Sequence, residues 1–377
     1  MHPHYDVIVI GVGGMGAAAA AELAGRGRRV LGLEQFDLVH DRGSSHGHTR
    51  IIRKAYFEHP DYVPLLHRAY ERWYELEEQQ GRHLFTECGC LNIGRPDGEL
   101  IAGVRRSSAE HRLDVEQLDP AELRRRFPAF TFGNEYHGML ERDAGFLYVE
   151  DCVQAYVDQA RLHGAELHAQ EPAVRWEASA HGVLVQTERQ TYTADRLVIT
   201  AGAWAARILD ALSLPLEVVR KALLWIAPAD SSPFRRQRFP VYLTETPEGI
   251  YYGFPVLDEH GLKVARHDGG ELVADPSSVN RQLADADVND CRQFLQAHIP
   301  LVNGPLRQSK VCLYTLTPDR HFIIDRHPHH PNVVLAAGFS GHGFKFASVV
   351  GEILADLTEN GRTRLPIEMF RLGRFAR

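Results

Sequence analysis

A short unbroken apolar run at residues 7–10 opens the chain's pattern, and glycines followed by a block of alanines come directly after it. An apolar run of this length predicts a strand buried on both faces. Residues 15–24 are small and predict a helix, closed by Gly25 and Gly27, whose axis can lie near a sheet. The run at residues 30–33 predicts the next strand, and it ends in Glu34. From Tyr62 onward Leu65, Leu66, Ala69, Trp73 and Leu76 recur at helical spacing, so a helix is expected over 62–80, stopped by Gly81. Residues 84–145 predict short strands and turns with one proline-bounded helix at 121–126. A second amphipathic helix follows Tyr148, with Val153, Tyr156, Val157 and Ala160 on one face and Gly164 at its end.

Three β-like runs come next, at 173–176, 182–187 and 196–201. The last leads into a glycine turn at Gly202 and a short helix around Trp204, which delivers backbone amides to a sheet's carboxyl end. Between 215 and 310 the pattern becomes antiparallel, with a strand at 218–226 and a hairpin of 242–244 with 250–255 around Thr246, Pro247, Glu248 and Gly249. A further strand at 262–267 places Lys263 and His267 on one face, roughly 13 Å apart along the strand. In the run 310–325 Cys312 and Tyr314 share a face that is expected to be open, with Val311 and Leu313 on the other. Residues 332–338 predict one more buried strand, and a helix is expected over 343–357 with Phe344, Ala347, Val350, Ile353 and Leu354 inward. Lys345 falls in its first turn, where a cation opposes the helix dipole, a cost that points to function.

The order of elements predicts an α/β protein: a Rossmann-like nucleotide domain and a second, α+β substrate domain built on an antiparallel sheet. At 377 residues the chain exceeds one ordinary core. The nucleotide domain is expected to be discontinuous, over 1–84, 146–215 and 311–377, with the substrate domain over 85–145 and 216–310.

The net charge of −7 comes with acids and bases interspersed, so neither nucleic acid nor an anionic membrane is an expected partner. No apolar run approaches the about 18 residues of a membrane span, and the first strand follows the N-terminus too closely for a leader. Five scattered cysteines, at 88, 90, 152, 291 and 312, fit neither a redox pair nor a zinc half-site, and a reduced, cytoplasmic monomer is expected. His327, His329 and His330 surround Pro328 in a turn and predict a solvated loop, so no metal is expected.

Gly11, Gly13 and Gly16 form G-x-G-x-x-G between the first strand and its helix. The first glycine permits the tight turn, the second admits a pyrophosphate, and the third lets helix and strand pack closely. Glu34 lies near the offset of about 20 residues at which a carboxylate meets a ribose hydroxyl, which favours FAD or NAD over NADP. No second complete fingerprint follows, so reduction of a bound flavin by NAD(P)H in a separate domain is not expected. Ser44, Ser45 and Thr49 offer hydroxyls to the cofactor, with Arg50 and Arg53 close behind. An NAD-dependent dehydrogenase and a noncatalytic dinucleotide-binding protein are the rival classes.

Six motifs carry a resemblance that covers nearly the whole chain: GVGGMG with Glu34, SSHGHTRIIRKAY, YYGFP, GLKVARH, CLYTLTPDRHFIID and AAGFSGHGFKFAS. The chain resembles the monomeric sarcosine oxidase and N-methyltryptophan oxidase family of flavoprotein amine oxidases. That resemblance implies FAD attached to Cys312 as an 8α-S-cysteinyl thioether. It implies further cofactor contacts from Val174, Gly202 and Gly343. Lys263 matches the lysine at the flavin face where oxygen reacts, and Arg50 a residue close to the ring. Arg53 and Lys345 match the pair that holds the substrate carboxylate, with Tyr314 also on the substrate side. Tyr252 and His267 match residues at the amine end. The implied reaction oxidises a secondary amino acid with O2, giving the demethylated amino acid, formaldehyde and peroxide. The segment 54–62 carries Phe57 and Pro60 where the named oxidases have a glycine-bearing lid, and its RKAY portion is also like pipecolate-oxidising relatives. Sarcosine, N-methyltryptophan, other N-methyl amino acids and cyclic imino acids such as pipecolate or proline are thus the candidate substrates.

Overall fold

The computed structural model describes residues 2–375. An eight-stranded sheet, a nine-stranded sheet and a small three-stranded sheet organise the chain. In the first, the parallel strands run in the order Glu166–His168, Val30–Leu33, His4–Ile10, Thr191–Ile199 and Val333–Ala337. Antiparallel strands Ala173–Ser179 and Gly182–Thr187 extend from Thr191–Ile199, and Ile323–Arg326 pairs with Val333–Ala337. Burial on both faces explains why the central strands are continuous apolar runs.

The helix Gly14–Gly25 lies close against this sheet because its residues are small. A Cβ on Gly16 would stand 1.8 Å from the Gly11 carbonyl oxygen, so only hydrogen fits. On its other side the helix Ala347–Asn360 approaches equally closely, with Gly351 against Ala18. The helices Val63–Gln80 and Val149–Leu162 complete this layer, and Trp73, Tyr62 and Leu66 are fully buried in its core.

The nine-stranded sheet runs Glu271–Leu272, Glu217–Ile226, Leu262–Arg266, Gly249–Phe254, Val241–Thr246, Cys90–Gly94, His137–Glu141 and Val115–Leu118. Its pairs are antiparallel except Val241–Thr246 with Cys90–Gly94. The strand Leu306–Leu316, which crosses residue 311, pairs with Glu217–Ile226 over its length, Lys221 opposite Cys312. The side chains of Cys312 and Tyr314 are therefore presented by the antiparallel sheet. Thr49–Ile52 belongs to the three-stranded sheet with Gly145–Tyr148 and Phe85–Glu87.

Two expectations are corrected. The stretch read as strands and turns with one helix contains a second helix, Glu99–His111, besides Pro120–Arg126. Its buried face is Leu100, Ile101, Val104 and Ser107, but Gly103 interrupts the pattern and lowers helix propensity. That glycine is required by packing, since a Cβ there would lie 2.3 Å from the Phe57 carbonyl oxygen. The helix expected from residue 343 begins as a 3-10 turn, Phe344–Phe346, closed by Phe346 N–H to Gly343 O, and becomes α-helical at Ala347.

Candidate active site

One cavity of about 450 Å³ is lined from both large sheets. At one end lie Gly11, Gly13 and Gly14, where the helix Gly14–Gly25 starts with no cap from its own N-cap residue, Gly13. The amides beyond Gly14 and the helix dipole make this end receptive to an anion. Gly11 has φ +88°, and a Cβ there would meet Thr200 O at 2.6 Å. Gly16 does not line the cavity, and its missing Cβ leaves room for the Gly11 carbonyl and the Thr200 hydroxyl. Glu34, 4% exposed, accepts Val12 N–H at 2.8 Å and Phe36 N–H at 3.1 Å, so it shapes the glycine turn and still faces the cavity. Ser45 Oγ accepts Gly14 N–H, and Ser44 Oγ donates to Leu313 O. Gly202, Trp204 and the exposed Val174 line the same cavity, as do Gly343 and Phe344.

Further along, Cys312, Tyr314, Tyr252, His267, Arg50, Arg53 and Lys345 all border the same space. The strand face of Cys312 and Tyr314, expected to be open, is buried at 1% and 6% exposure, because it forms the cavity wall. Arg50 Nη2 donates to Cys312 Sγ at 3.3 Å and to Ser44 O at 2.9 Å. Tyr252 and Tyr314 place their hydroxyls 3.4 Å apart, and the His267 ring packs against both. Burial lowers the His267 pKa to about 4, with Lys221, Arg53 and Lys345 acting in the same direction against Glu58. His267 is neutral at pH 7.

Arg53 is 2% exposed and its Nη2 donates to both oxygens of Glu58 at 2.9 and 2.8 Å. The Glu58 carboxyl, although burial raises its pKa, is held at about 2 by Arg53, with His342 and Lys345 contributing. Arg53 Cζ stands 4.4 Å from the Tyr56 ring centroid and Lys345 Nζ 5.0 Å, so one aromatic ring supports both cations. Lys345 Nζ donates to His342 O at 2.8 Å and to Tyr56 Oη at 3.3 Å. Burial, together with Arg53, lowers the Lys345 pKa to about 7.

Two expected residues stand elsewhere. Lys263 and Thr49 line a second cavity, of about 430 Å³, with His48, Trp225, Phe254 and Glu150. Lys263 Nζ donates to Gly47 O at 2.7 Å, Thr49 O at 2.8 Å and Thr49 Oγ1 at 3.1 Å. The Thr49 hydroxyl is thus turned toward a lysine and away from the nucleotide end, and alternation along Thr49–Ile52 puts Arg50 in the first cavity and Thr49 in the second. His267 lies past the end of Leu262–Arg266 and reaches the first cavity, so it and Lys263 do not share one chamber.

Glu58, Tyr56, His342 and Leu243 also belong to this region. The signals for them were local: Glu58 follows Arg53 by five residues, and His342 sits in the glycine turn before Lys345. Phe57 faces the core of Leu100, Ile101 and Val104 and does not line the cavity.

The arrangement fits a flavin dinucleotide. A glycine turn whose Gly11 and Gly16 leave no room for a Cβ, a helix N-terminus and a carboxylate form one end, and a sulfur flanked by an arginine and tyrosines forms the other. Among the described residues no cluster of His, Cys, Asp or Glu is arranged to hold a metal, and no helix is long and apolar enough to cross a membrane.

Residues 6–357 match the model of the FAD dependent oxidoreductase family. The chain is 46% identical to the monomeric sarcosine oxidase of Streptomyces avermitilis, an alignment covering 100% of this chain and 99% of the relative. It is 37% identical to the N-methyl-L-tryptophan oxidase of Salmonella agona, over 99% of each. Among solved structures it resembles NikD, described as an unusual amino acid oxidase essential for nikkomycin biosynthesis, with a TM-score of 0.86 and 26% identity over 98% of this chain and 97% of that one.

The burial of His267 predicts that its imidazole keeps the neutral nitrogen signature between pH 8 and about pH 5. Nitrogen NMR of labelled protein, with the signal assigned by its loss in His267→Asn, checks this; an imidazolium signature at pH 7 would contradict it.

Proposed function

The chain belongs to the FAD-dependent oxidoreductases, in the group of monomeric sarcosine oxidase and N-methyl-L-tryptophan oxidase, and on that premise we propose that it oxidises an N-methyl amino acid, sarcosine or a near analogue, with O2 as acceptor. The observation that carries the proposal is the pair of buried cations, Arg53 and Lys345, in one cavity wall with a neutral His267 and Cys312. Bound FAD supplies the two-electron oxidation of the carbon next to nitrogen and the reduction of O2 to peroxide. Gly11 and Gly13 with the helix start at Gly14 are the residues to hold its pyrophosphate, and Glu34 its ribose. The Cys312 sulfur is the proposed point of covalent attachment, with Arg50 as its polar neighbour.

Arg53 would receive the substrate carboxylate through the fork that Glu58 now occupies, since a guanidinium meets a carboxylate with charge-assisted bonds. Lys345 adds a second donor from a segment far along the chain. Neutral His267 offers an acceptor for the amine proton, which leaves the nitrogen lone pair free, and Tyr252 and Tyr314 close the amine end. Lys263 would place positive charge near the side where oxygen reacts. The oxidised product is an imine, and water converts it to the demethylated amino acid and formaldehyde. Five free cysteines support action in the reducing cytoplasm, and we read the protein as a monomer.

Peroxide production across a panel of sarcosine, N-methyltryptophan, other N-methyl amino acids, pipecolate and proline tests the proposal. N-methyl substrates are expected to give the highest kcat/KM, with formaldehyde in equal amount to peroxide. Peroxide without formaldehyde, from the cyclic compounds alone, would move the assignment to imino acids, and no peroxide from any member would overturn it. In the same preparation acid precipitation is expected to leave the yellow colour in the pellet, and Cys312→Ser to release it to the supernatant; colour that stays with Cys312→Ser protein would refute attachment at that sulfur.

A further inference from the structure

We infer that Glu141 is a positioning residue for carboxylate capture, anchoring the backbone beside Arg53 so that the guanidinium stays in place when Glu58 withdraws; this rests on the proposed role of Arg53. Glu141 ends the strand His137–Glu141 and is 1% exposed. Its neighbours in the sheet are Cys90 on one side and Val115 on the other, so its backbone is fixed by two strands. One carboxylate oxygen accepts Lys54 N–H at 2.7 Å and the other accepts Ala55 N–H at 2.9 Å. The carbonyl of the same Ala55 accepts Arg53 Nη1 at 2.9 Å. A continuous chain of contacts therefore runs from the nine-stranded sheet through one buried peptide to the guanidinium.

The choice of residue is physically expensive. Among the described residues no lysine or arginine forms an ion pair with Glu141, and burial raises its pKa to about 7. A carboxylate in such a place is costly unless its hydrogen bonds are needed. In its ionised form, which the Lys54 and Ala55 N–H groups favour against burial, it supplies two acceptors and no donor, matching two adjacent amides pointing the same way. Glutamine would turn an amide group toward one of those N–H groups and leave it unpaired. Arg53's second hydrogen-bonded attachment, to Glu58, must break when a substrate carboxylate takes that fork, and the Ala55 carbonyl is then the hydrogen-bond acceptor that still orients the guanidinium over the Tyr56 and Phe57 rings. Glu141 keeps that carbonyl in place.

The test uses FAD-loaded enzyme, with acetate as a non-oxidisable carboxylate titrated against flavin absorbance. Arg53→Gln is measured alongside as the check on the underlying role. Glu141→Gln is expected to raise the acetate Kd and the substrate KM by about tenfold, the scale of one buried amide left unpaired. Its kcat at saturating substrate is expected to stay within about threefold of the parent, because the reacting atoms are untouched. Glu141→Asp, which keeps the charge but shortens the reach, is expected to fall between, and it serves if the glutamine variant does not fold. Weakened acetate binding in Arg53→Gln, with unchanged Kd and KM in the Glu141 variants, would overturn this inference alone, even if their Tm fell. Unchanged acetate binding in Arg53→Gln would overturn the carboxylate site itself, and the inference with it.

Discussion

Positive charge held away from water is the constraint on which this site depends. Arg53, Lys263 and Lys345 are 2%, 1% and 5% exposed, and Arg50 borders the same cavity as two of them. Burying a cation costs free energy unless an anion or a set of acceptors replaces its water. Lys263 is answered by three oxygens of its own chain. Arg53 is answered by Glu58, and Lys345 only by a carbonyl and a phenol; burial lowers the proton affinity of both lysines, with a neighbouring arginine adding in each case. A ligand that brings a carboxylate between the last two offsets the remaining desolvation. The site selects an acid by what it lacks.

The surrounding structure holds the groups of this arrangement in register. Arg53, Glu58 and Tyr56 come from one short segment, and Lys345 and His342 from another nearly three hundred residues on. His342 Nε2 lies 3.0 Å from Arg320 O, a pure acceptor, so it carries the proton and Nδ1 accepts from the Tyr56 hydroxyl at 2.7 Å. The Tyr56 oxygen is then free to accept from Lys345. Burial, with Lys345 and His267 adding, lowers the His342 pKa to about 3, which keeps the ring neutral and the direction of this chain fixed. The small residues that let the helices Gly14–Gly25 and Ala347–Asn360 touch bring the Lys345 segment against the nucleotide layer.

Much of this was legible in the order of residues. Val7, Ile8 and Val9 with the glycines that follow announce a buried strand and a phosphate turn, because both depend on local geometry. Cys312 and Tyr314 were readable as one face of a strand, but strand periodicity does not say whether a face meets water or a cavity. The Glu99–His111 helix was obscured by Gly103, whose presence answers to a contact with Phe57 from a distant segment. Strand periodicity puts Lys263 and His267 on one face, yet they border different cavities, because the strand ends at Arg266 and His267 lies beyond it. Glu58 as the partner of Arg53 had only its spacing of five residues as a signal, and Glu141 as the anchor beside it arises only from folding, since nothing local distinguishes it from a surface acid.

The central claim is that the cavity is built for a carboxylate because its cations are buried, Arg53 presents a fork of carboxylate geometry and Lys345 has no carboxylate partner of its own. It is tested most directly by comparing propionate with propionamide, ligands of nearly equal shape, as perturbants of the flavin absorbance at pH 6.5. The account predicts that propionate binds at least about tenfold more tightly, since only a charged ligand replaces Glu58 and approaches Lys345 with gain. Equal affinity for the two ligands would contradict it.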